Sequence, residues 1–190
     1  MVDDTFRWLD VPAEVAARRL LGCELLCTVD GAMVRVRIVE TEAYDQADEA
    51  SYTFNGRSMR NDTMFRRAGY LYVYFTYGMH HCCNIVCGSE GEGSAVLIRA
   101  VEPLAGMEVI ESRRGKQGKN ATNGPGNVCA ALGIDRRYNG HDLSQPPIQL
   151  VKKARLADSD VTTTTRIGIS KAVHELRRMY VTDSLYVSKK

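Results

Sequence analysis

Hydrophobic residues follow helical spacing near the start of the chain and strand spacing soon afterwards. After Pro12, apolar positions recur at intervals of three and four until Gly22, which predicts an amphipathic helix. These positions are Ala13, Ala16, Ala17, Leu20 and Leu21. Residues 23–29 and 32–41 then flank Asp30-Gly31, a dipeptide typical of tight β-hairpins. We therefore expect a helix followed by a two-stranded hairpin.

The rest of the chain mixes both periods. Residues 45–69 are polar and without a sustained period, which indicates a long loop or short helices. The predicted elements after this loop are strands at 70–76, 80–87 and 95–101, a helix from Pro103 to about Arg114, a loop at 120–127, a helical turn at 128–132, and short strands and turns from Ile148 onward. The four threonines 162–165 suit a strand or a loop. The fold class is mixed α and β.

Composition indicates one domain. The 190 residues are 44% hydrophobic and 25% charged, enough for a single well-formed core. The chain has no run of about 18 apolar residues, and MVDDTFRWLD lacks the basic start and apolar centre of a signal peptide. The six cysteines lie in apolar contexts and not at the spacings of a disulfide framework. We expect a soluble intracellular protein with reduced core cysteines and no membrane association.

Charge is unevenly distributed although its net value is only +2. Residues 1–56 carry 5 basic and 11 acidic side chains, whereas residues 57–190 carry 20 and 12. Three basic groups stand out: Arg57, Arg60, Arg66 and Arg67; Arg113, Arg114, Lys116 and Lys119; and Lys152, Lys153 and Arg155. Each group is either an ordinary solvated face or a surface for phosphates.

Glu42 interrupts a hydrophobic alternation. In VRVRIVETEAY, residues 34–44, Val34, Val36 and Ile38 share one face of the predicted strand. If the alternation continues, Glu40 and Glu42 point to the same packed side. A buried carboxylate is paired, hydrogen-bonded or catalytic. The alternatives are a structural ion pair and an early strand end that leaves both residues solvated.

Arg99 is a second anomaly, because alternation in AVLIRAV places it on one face with Leu97 and Val101. A buried guanidinium requires an anion, and Glu42 is a candidate partner, either directly or through a water molecule. A Glu, water and Arg arrangement would hold a nucleophilic water in place. A purely structural ion pair remains the alternative.

Tyrosines gather on one side of the next hairpin. Tyr72 and Tyr74 share a strand face, and Tyr77-Gly78-Met79 is predicted to form the turn. Aromatic faces stack on nucleobases, and an apolar loop tip can replace a base pushed out of a duplex. Amphipathic core packing is the alternative explanation.

Metal and nucleotide sites are poorly supported. In a strand, His80 pairs with Cys82 and His81 with Cys83, so each face offers two ligands where structural zinc uses four. HELRR, which begins at His174, is not the HExxH zinc motif. GPGN at 124–127 lacks the Lys and Ser/Thr of a phosphate-binding P-loop and indicates a turn beside a helix start. We predict no metal site.

The motifs taken together resemble a known family: the alkyladenine DNA glycosylases of the mammalian type, also called methylpurine or 3-methyladenine DNA glycosylases. The matching segments in order are VETEAY at 39–44, GRSMRN at 56–61, MF at 64–65, YVYFTYGMHHCCN at 72–84, VLIRAVEPLAGME at 96–108, GPGNVCAALGI at 124–134 and RIGI at 166–169. They cover nearly the whole chain.

The resemblance implies an α+β fold: a single compact domain, residues 1–190, with a curved, mostly antiparallel sheet and surrounding helices. It implies a monofunctional enzyme that flips alkylated purines out of double-stranded DNA and hydrolyses the N-glycosidic bond, initiating base excision repair. A monomer without cofactor is expected. The rival hypotheses are a non-catalytic member that only binds damaged DNA or nucleic acid, and a zinc-binding regulatory protein.

The resemblance also implies residue roles. Glu42 corresponds to the general base, and Arg99 helps to hold the water. Tyr44 and Tyr74 correspond to stacking walls around the flipped base. The remaining predicted site residues are Asn84 at the base edge, Tyr77 with Met79 as the intercalating wedge, and Arg57 and Arg60 at the DNA backbone.

Tyr52 departs from the family pattern. The segment DEASY ends in Tyr52 where the family has a pocket histidine, and the loop is one residue shorter. Tyr52 keeps an aromatic face but changes the polar group. We therefore expect cationic alkylpurines, which leave without protonation, as substrates, and the change at Tyr52 leaves open whether neutral lesions such as ethenoadenine or hypoxanthine are also substrates. The pocket motifs contain no lysine, so no Schiff-base lyase step is predicted.

Overall fold

The hairpin around Asp30 and Gly31 forms as predicted. The computed structural model describes residues 5–190, and in it strand β1 (Glu24–Val29) pairs antiparallel with strand β2 (Ala32–Tyr44). Asp30 has φ 52° and Gly31 φ 76°. Positive φ at both central positions gives the type I′ turn whose twist matches the two strands.

Nine strands among residues 5–190 form one antiparallel sheet. The others are β3 (Tyr70–Thr76), β4 (His80–Val86), β5 (Ala95–Ala105), β6 (His141–Asp142), β7 (Ile148–Val151), β8 (Val161–Thr164) and β9 (Arg178–Val181). The order is β6-β3-β4-β5-β2-β1-β7, and β9 pairs with β8 and with the second half of β2. Strand β2 thus has β1 beside its first half and β9 beside its second, and the sheet curls. The predicted curved antiparallel sheet is confirmed.

Three α-helices in the described range cover this sheet. They are α1 (Ala13–Leu20), α2 (Met107–Arg114) and α3 (Pro125–Leu132). Helix α1 packs on β2, α3 packs on β4 and β5, and α2 packs on α3. One main hydrophobic core fills the space between these helices and the sheet, which confirms a single compact α+β fold. Within residues 5–190, no helix has the length and apolar character needed to cross a membrane.

Helix α2 begins later than the sequence predicts. Pro103 is not helical but lies in β5 opposite Val36, next to a register irregularity. Proline is tolerated in strands at such irregularities, where a ladder hydrogen bond is already missing. The chain turns at Gly106, which has φ 77°, and α2 starts at Met107.

Helix α3 begins earlier than predicted, inside the expected loop 120–127. Gly124 precedes the helix and Pro125 is its first residue, a position where the missing N–H of proline costs nothing. Gly133, at φ 72°, ends the helix. The predicted helical turn at 128–132 is therefore part of a longer helix, and the GPGN segment forms its N-terminal end.

A bulge at Val39 changes which face Glu42 occupies. Ile38 lies opposite Val101, but Glu40 lies opposite Ala100, so β2 contains one extra residue. An extra residue exchanges the two faces of all positions that follow it. The alternation before Val39 therefore does not continue after it.

Core contacts establish the exchange. Before the bulge Val34, Val36 and Ile38 belong to the main hydrophobic core. After it Ala43 belongs to that core, and the Thr41 hydroxyl donates to a carbonyl of α1 at 3.2 Å. The prediction that Glu42 shares a face with Val34, Val36 and Ile38 is wrong: Glu42 is fully buried, but on the opposite face.

Strand β5 also contains one extra residue, Arg99, which offsets the extra residue in β2. Glu40 lies opposite Ala100 and Thr41 opposite Ile98, so Arg99 is the extra residue in this strand. Arg99 and Leu97 lie on the same face as Glu42, so the prediction that Arg99 and Leu97 share a face is confirmed. The prediction is wrong for Val101, which lies in the main core.

The Gly106 turn gives a test of this fold. A Cβ at Gly106 would lie 2.6 Å from the backbone carbonyl oxygen of Met33, whereas a Cβ at Gly115, also at positive φ, would meet nothing within 4 Å. We expect Gly115→Ala to lower the free energy of unfolding by about 1 kcal/mol through backbone strain alone. Gly106→Ala should cost at least about 1 kcal/mol more because backbone must move. Urea denaturation measures both, and equal losses would contradict the packing of this turn.

Candidate active site

A cavity of about 420 Å³ opens on the sheet face opposite the main core. Strands β2, β3, β4 and β5 each contribute to its wall, and residues 49–52 and 167–171 complete the rim. The lining combines tyrosine rings with the buried carboxylate of Glu42 and the guanidinium of Arg99, and the exposed Glu49 lies at the rim. Glu42 and Arg99 thus form part of the cavity wall.

Two hydrogen bonds and one ion pair hold the Glu42 carboxylate. The Tyr44 hydroxyl donates to Oε2 at 2.8 Å, and the Ile167 backbone N–H donates to Oε1 at 2.9 Å. Arg99 Nη1 lies 3.3 Å from Oε1. A carboxylate has about four acceptor positions, so these contacts leave capacity for one more donor such as water. Glu42 is fixed in position and still able to accept a proton from a bound molecule.

Arg99 bridges two buried carboxylates. In addition to Glu42, its Nε lies 3.5 Å from Oε1 of Glu40. Arg99 is 8% exposed and both glutamates are 0% exposed. The sequence left open whether Glu42 and Arg99 meet directly, and they do.

Five tyrosines line the cavity: Tyr77 at its mouth, and Tyr44, Tyr52, Tyr72 and Tyr74 deeper in. The Tyr52 and Tyr74 rings meet edge to face with centroids 4.9 Å apart, and Tyr72 lies 5.6 Å from Tyr74. Burial raises the pKa of Tyr72 to about 12 and raises the pKa of Tyr74 further. Burial and the nearby charge of Glu42 likewise raise the pKa of Tyr44. At neutral pH the rings of Tyr44, Tyr72 and Tyr74 are therefore uncharged aromatic surfaces.

Arg166 is a structural determinant of the site that the sequence did not reveal. Its guanidinium lies over the Tyr44 ring at 4.6 Å and binds the Asp48 carboxylate through both terminal nitrogens, with Nη2 at 2.9 Å from Oδ1. The next residue, Ile167, donates to Glu42. Arg166 therefore fixes two of the groups that hold the carboxylate. The only sequence signal was its place in the RIGI segment.

The tip of the β3–β4 hairpin projects beside the cavity. Tyr77 lines the cavity mouth yet is 80% exposed, and Met79 is 70% exposed. Tyr77 and Gly78 both have positive φ, and the Met79 N–H donates to the Thr76 carbonyl at 3.3 Å. The turn thus presents two large side chains outward, as an intercalating wedge requires.

The structure brings two of the other predicted site residues, Asn84 and Arg60, to the cavity, and a third, Arg57, does not line it. Asn84 is buried in the cavity wall, where its amide nitrogen donates to the Tyr72 carbonyl at 3.2 Å. The Arg60 guanidinium lies 4.8 Å over the Tyr52 ring at the rim. Arg57 is paired with Asp62 at 2.7 Å. The structure places Arg60 against a ring that lines the cavity, whereas Arg57 lies in an exposed ion pair whose residues do not line it.

The possible metal ligands among residues 5–190 are dispersed, and the cysteines are buried. Among residues 5–190, no group of three or more His, Cys, Asp or Glu side chains is placed to hold a metal ion. All six cysteines are free and buried, and Cys82 lies in the cavity wall. Burial raises the pKa of Cys82 to about 11, so it is a protonated thiol and not a nucleophile at neutral pH.

Comparison with known proteins identifies the family. A family model described as methylpurine-DNA glycosylase matches residues 7–185. The chain belongs to the methylpurine-DNA glycosylase family. The family resemblance expected from the motifs is thereby confirmed.

Relatives in this family match over nearly their whole length. A protein of Carboxydothermus hydrogenoformans is 43% identical over 93% of both chains. One from Methanoculleus marisnigri is 42% identical over 92% of both, and one from Nitrosospira multiformis is 44% identical over 91% of this chain and 87% of its own. Each carries the name "Putative 3-methyladenine DNA glycosylase".

The pair of Asp48 and Arg166 predicts a pH-dependent contribution to stability. Burial is the largest single effect and opposes the charge of Asp48. The hydrogen bonds from Arg166 and the Ala50 N–H and the charges of Arg166 and Arg177 together outweigh it and hold the pKa of Asp48 below its usual 3.8. A carboxyl with a lowered pKa stabilises the fold above its unfolded pKa and loses that contribution as pH falls. We expect Asp48→Asn to cost about 3 kcal/mol at pH 7, because the buried Arg166 loses its main partner and keeps only the longer ion pair with Glu175.

The difference in free energy of unfolding between the wild type and Asp48→Asn should shrink as pH falls below 3.8. Urea denaturation at a series of pH values measures it, with the exposed Asp183→Asn as the control. A difference that stays constant down to the acid transition would contradict the assignment.

Proposed function

We propose that this protein is a monofunctional DNA glycosylase acting on double-stranded DNA. It releases alkylated purines of the 3-methyladenine and 7-methylguanine class and so initiates base excision repair. The observation that carries the proposal is the buried carboxylate of Glu42, held by Arg99 in an aromatic cavity. Family membership and the names of the relatives support it. In this proposal the whole chain, residues 1–190, is one catalytic domain that acts as a monomer.

Base flipping would bring the substrate to Glu42. A base stacked in a duplex cannot enter a cavity within the protein, so the nucleotide must rotate outward, at a cost of a few kcal/mol. Tyr77 and Met79, exposed at the hairpin tip, are suited to fill the space that the base vacates. Alkylation that weakens base pairing lowers the cost of flipping.

Tyr44 and Tyr74 are suited to hold the flipped base by stacking. Uncharged aromatic faces attract cations, and N-alkylated purines carry positive charge. Tyr52 adds a third ring, edge to face with Tyr74, and Asn84 offers an amide to the base edge. The cavity therefore favours cationic bases over neutral ones.

Hydrolysis follows from the contacts of Glu42. The carboxylate accepts a proton from water as the water oxygen bonds to C1′ of the sugar. The N-glycosidic bond breaks, and its electron pair neutralises the cationic purine, which needs no further proton. The positive charge that develops on the sugar is stabilised by the same carboxylate. Arg99 holds the water and keeps Glu42 in place.

Lys171 qualifies the expectation of a simple hydrolase. The sequence motifs placed no lysine in the pocket, but the structure places the exposed Lys171 at the cavity rim. A lysine that attacked C1′ would form a Schiff base and cut the strand. We propose that Lys171 does not act in this way, since the proton acceptor Glu42 lies in the cavity wall and Lys171 is open to solvent.

Glu42→Gln tests the proposal. The amide keeps the size of the side chain but cannot take a proton from water, so base release should fall below about one-thousandth of the wild-type rate. Binding to the lesion duplex should persist. The measurement is single-turnover release of 7-methylguanine or 3-methyladenine, with affinity measured separately by gel shift.

The products distinguish the rival mechanisms. We expect an intact strand with an alkali-labile abasic site and no adduct after borohydride treatment. A trapped adduct that disappears in Lys171→Ala would show a lyase instead. Lesion binding by the wild type without any base release would favour a non-catalytic binding protein.

Tyr52 gives a second prediction, on specificity. Wild-type protein should release cationic 7-methylguanine and leave ethenoadenine essentially intact. Tyr52→His restores a ring nitrogen that can hydrogen-bond a neutral substrate, worth about tenfold in rate. Tyr52→Phe keeps the ring without the nitrogen and serves as the matched control. Equal ethenoadenine release by the His and Phe variants would contradict this role of Tyr52.

A further inference from the structure

Glu40 is a second fully buried carboxylate, and it lies behind Arg99. Arg178 Nη1 donates to its Oε1 at 2.7 Å. Ser188 donates twice, from its backbone N–H to Oε2 at 2.8 Å and from its hydroxyl to Oε1 at 2.9 Å. Residues far apart in the sequence thus fix the Glu40 carboxylate from several directions.

Arg178 is itself held firmly. Its Nε donates to the Thr165 carbonyl at 2.8 Å, and its Nη1 also donates to the Lys189 carbonyl at 2.8 Å. Arg178 is 5% exposed. Residues 188 and 189 therefore close a network that starts at the cavity wall with Glu42.

The network alternates in charge: Glu42, Arg99, Glu40, Arg178. Its four charges balance, as buried ions require. Arg99 is the shared member, with Nη1 toward Glu42 and Nε toward Glu40. Arg99 Nε is buried and makes no hydrogen bond within the described structure, so the Glu40 ion pair at 3.5 Å compensates its charge on that side.

We propose that Glu40 is a positioning residue for the catalytic pair, an inference that rests on the proposed glycosylase function. An arginine facing one carboxylate prefers to bind both of its oxygens. Because Glu40 attracts Nε of Arg99, the Arg99 guanidinium does not bind both oxygens of Glu42. Glu42 thereby keeps an acceptor position for water, and Arg178 and Ser188 keep Glu40 in place.

Removing the charge of Glu40 should therefore slow chemistry without weakening DNA binding. In Glu40→Gln, Arg99 turns toward Glu42 and occupies the position of the water. We expect single-turnover base release at saturating enzyme to fall roughly 10- to 100-fold, the effect of a small misplacement of reacting groups. The dissociation constant for lesion DNA should change less than about twofold. Ser188→Ala, a milder change, should lower the rate in the same direction.

Glu24→Gln is the matched control. Glu24 is also a buried carboxylate on the sheet, paired with Arg35 at 2.6 Å and Lys153 at 3.3 Å, but in β1 and away from the cavity. The Glu24→Gln substitution should lower the melting temperature and leave the rate of base release unchanged. A rate loss in Glu24→Gln equal to that in Glu40→Gln would mean that lost stability, and not positioning, explains both.

Two further measurements separate positioning from a merely structural role. Because Glu40 acts through Arg99, adding Glu40→Gln to the Arg99→Met variant should not lower the rate of base release further. If Glu40→Gln lowers that rate equally in the wild type and in Arg99→Met, the proposal is overturned. The ¹⁵N resonance of Arg99 Nε should shift in Glu40→Gln and not in Glu24→Gln. This spectrum can be recorded whether or not the protein is an active glycosylase. If the wild type releases no base, the proposed function is refuted. If the Arg99 Nε resonance does not shift in Glu40→Gln, the positioning role of Glu40 is refuted.

Discussion

The buried negative charge of Glu42 is the constraint on which the architecture of the cavity depends. A carboxylate removed from water must be compensated by donors at fixed positions. Those donors come from three parts of the chain: Arg99 from β5, Tyr44 from β2 itself and Ile167 from the loop before β9. Because each is needed, the positions of these elements are coupled, and the cavity forms where they meet.

Two bulges make this arrangement possible on an otherwise regular sheet. The extra residue at Val39 turns the second half of β2 over, so that Glu42 leaves the face of the hydrophobic core. The extra residue at Arg99 does the same in β5, and the two strands return to register. The sheet thus presents apolar side chains to the helices, and the charged side chains of Glu42 and Arg99 lie on the face that lines the cavity.

Local patterns determine how much of this was predictable. The hairpin at Asp30, the strands and the tyrosines on one face of β3 follow from turn chemistry and from alternation over a few residues. Alternation also marked Glu42 and Arg99 as unusual, but it assigned Glu42 to the wrong face because a bulge leaves no clear sequence signal. The predicted helix start at Pro103 was wrong because proline suits both a helix start and a strand irregularity. Helix α3 starts at Pro125, in a segment rich in glycine and asparagine that the sequence pattern assigned to a loop.

Long-range polar contacts were beyond sequence reasoning. Arg166 and Asp48 are separated by 118 positions and Arg178 and Glu40 by 138, and no periodic pattern links such residues. Their pairing depends on how β8, β9 and the connecting loop return to β2. The same contacts explain why a site of few reacting groups involves nearly the whole chain.

The most direct test is a crystal structure of Glu42→Gln bound to duplex DNA that carries an alkylated purine. We expect the damaged base between Tyr44 and Tyr74, the Tyr77 side chain in the space it has left, and C1′ of the sugar facing residue 42. A lesion still stacked in the duplex, or a base bound elsewhere on the protein, would contradict the assignment of this cavity as the active site.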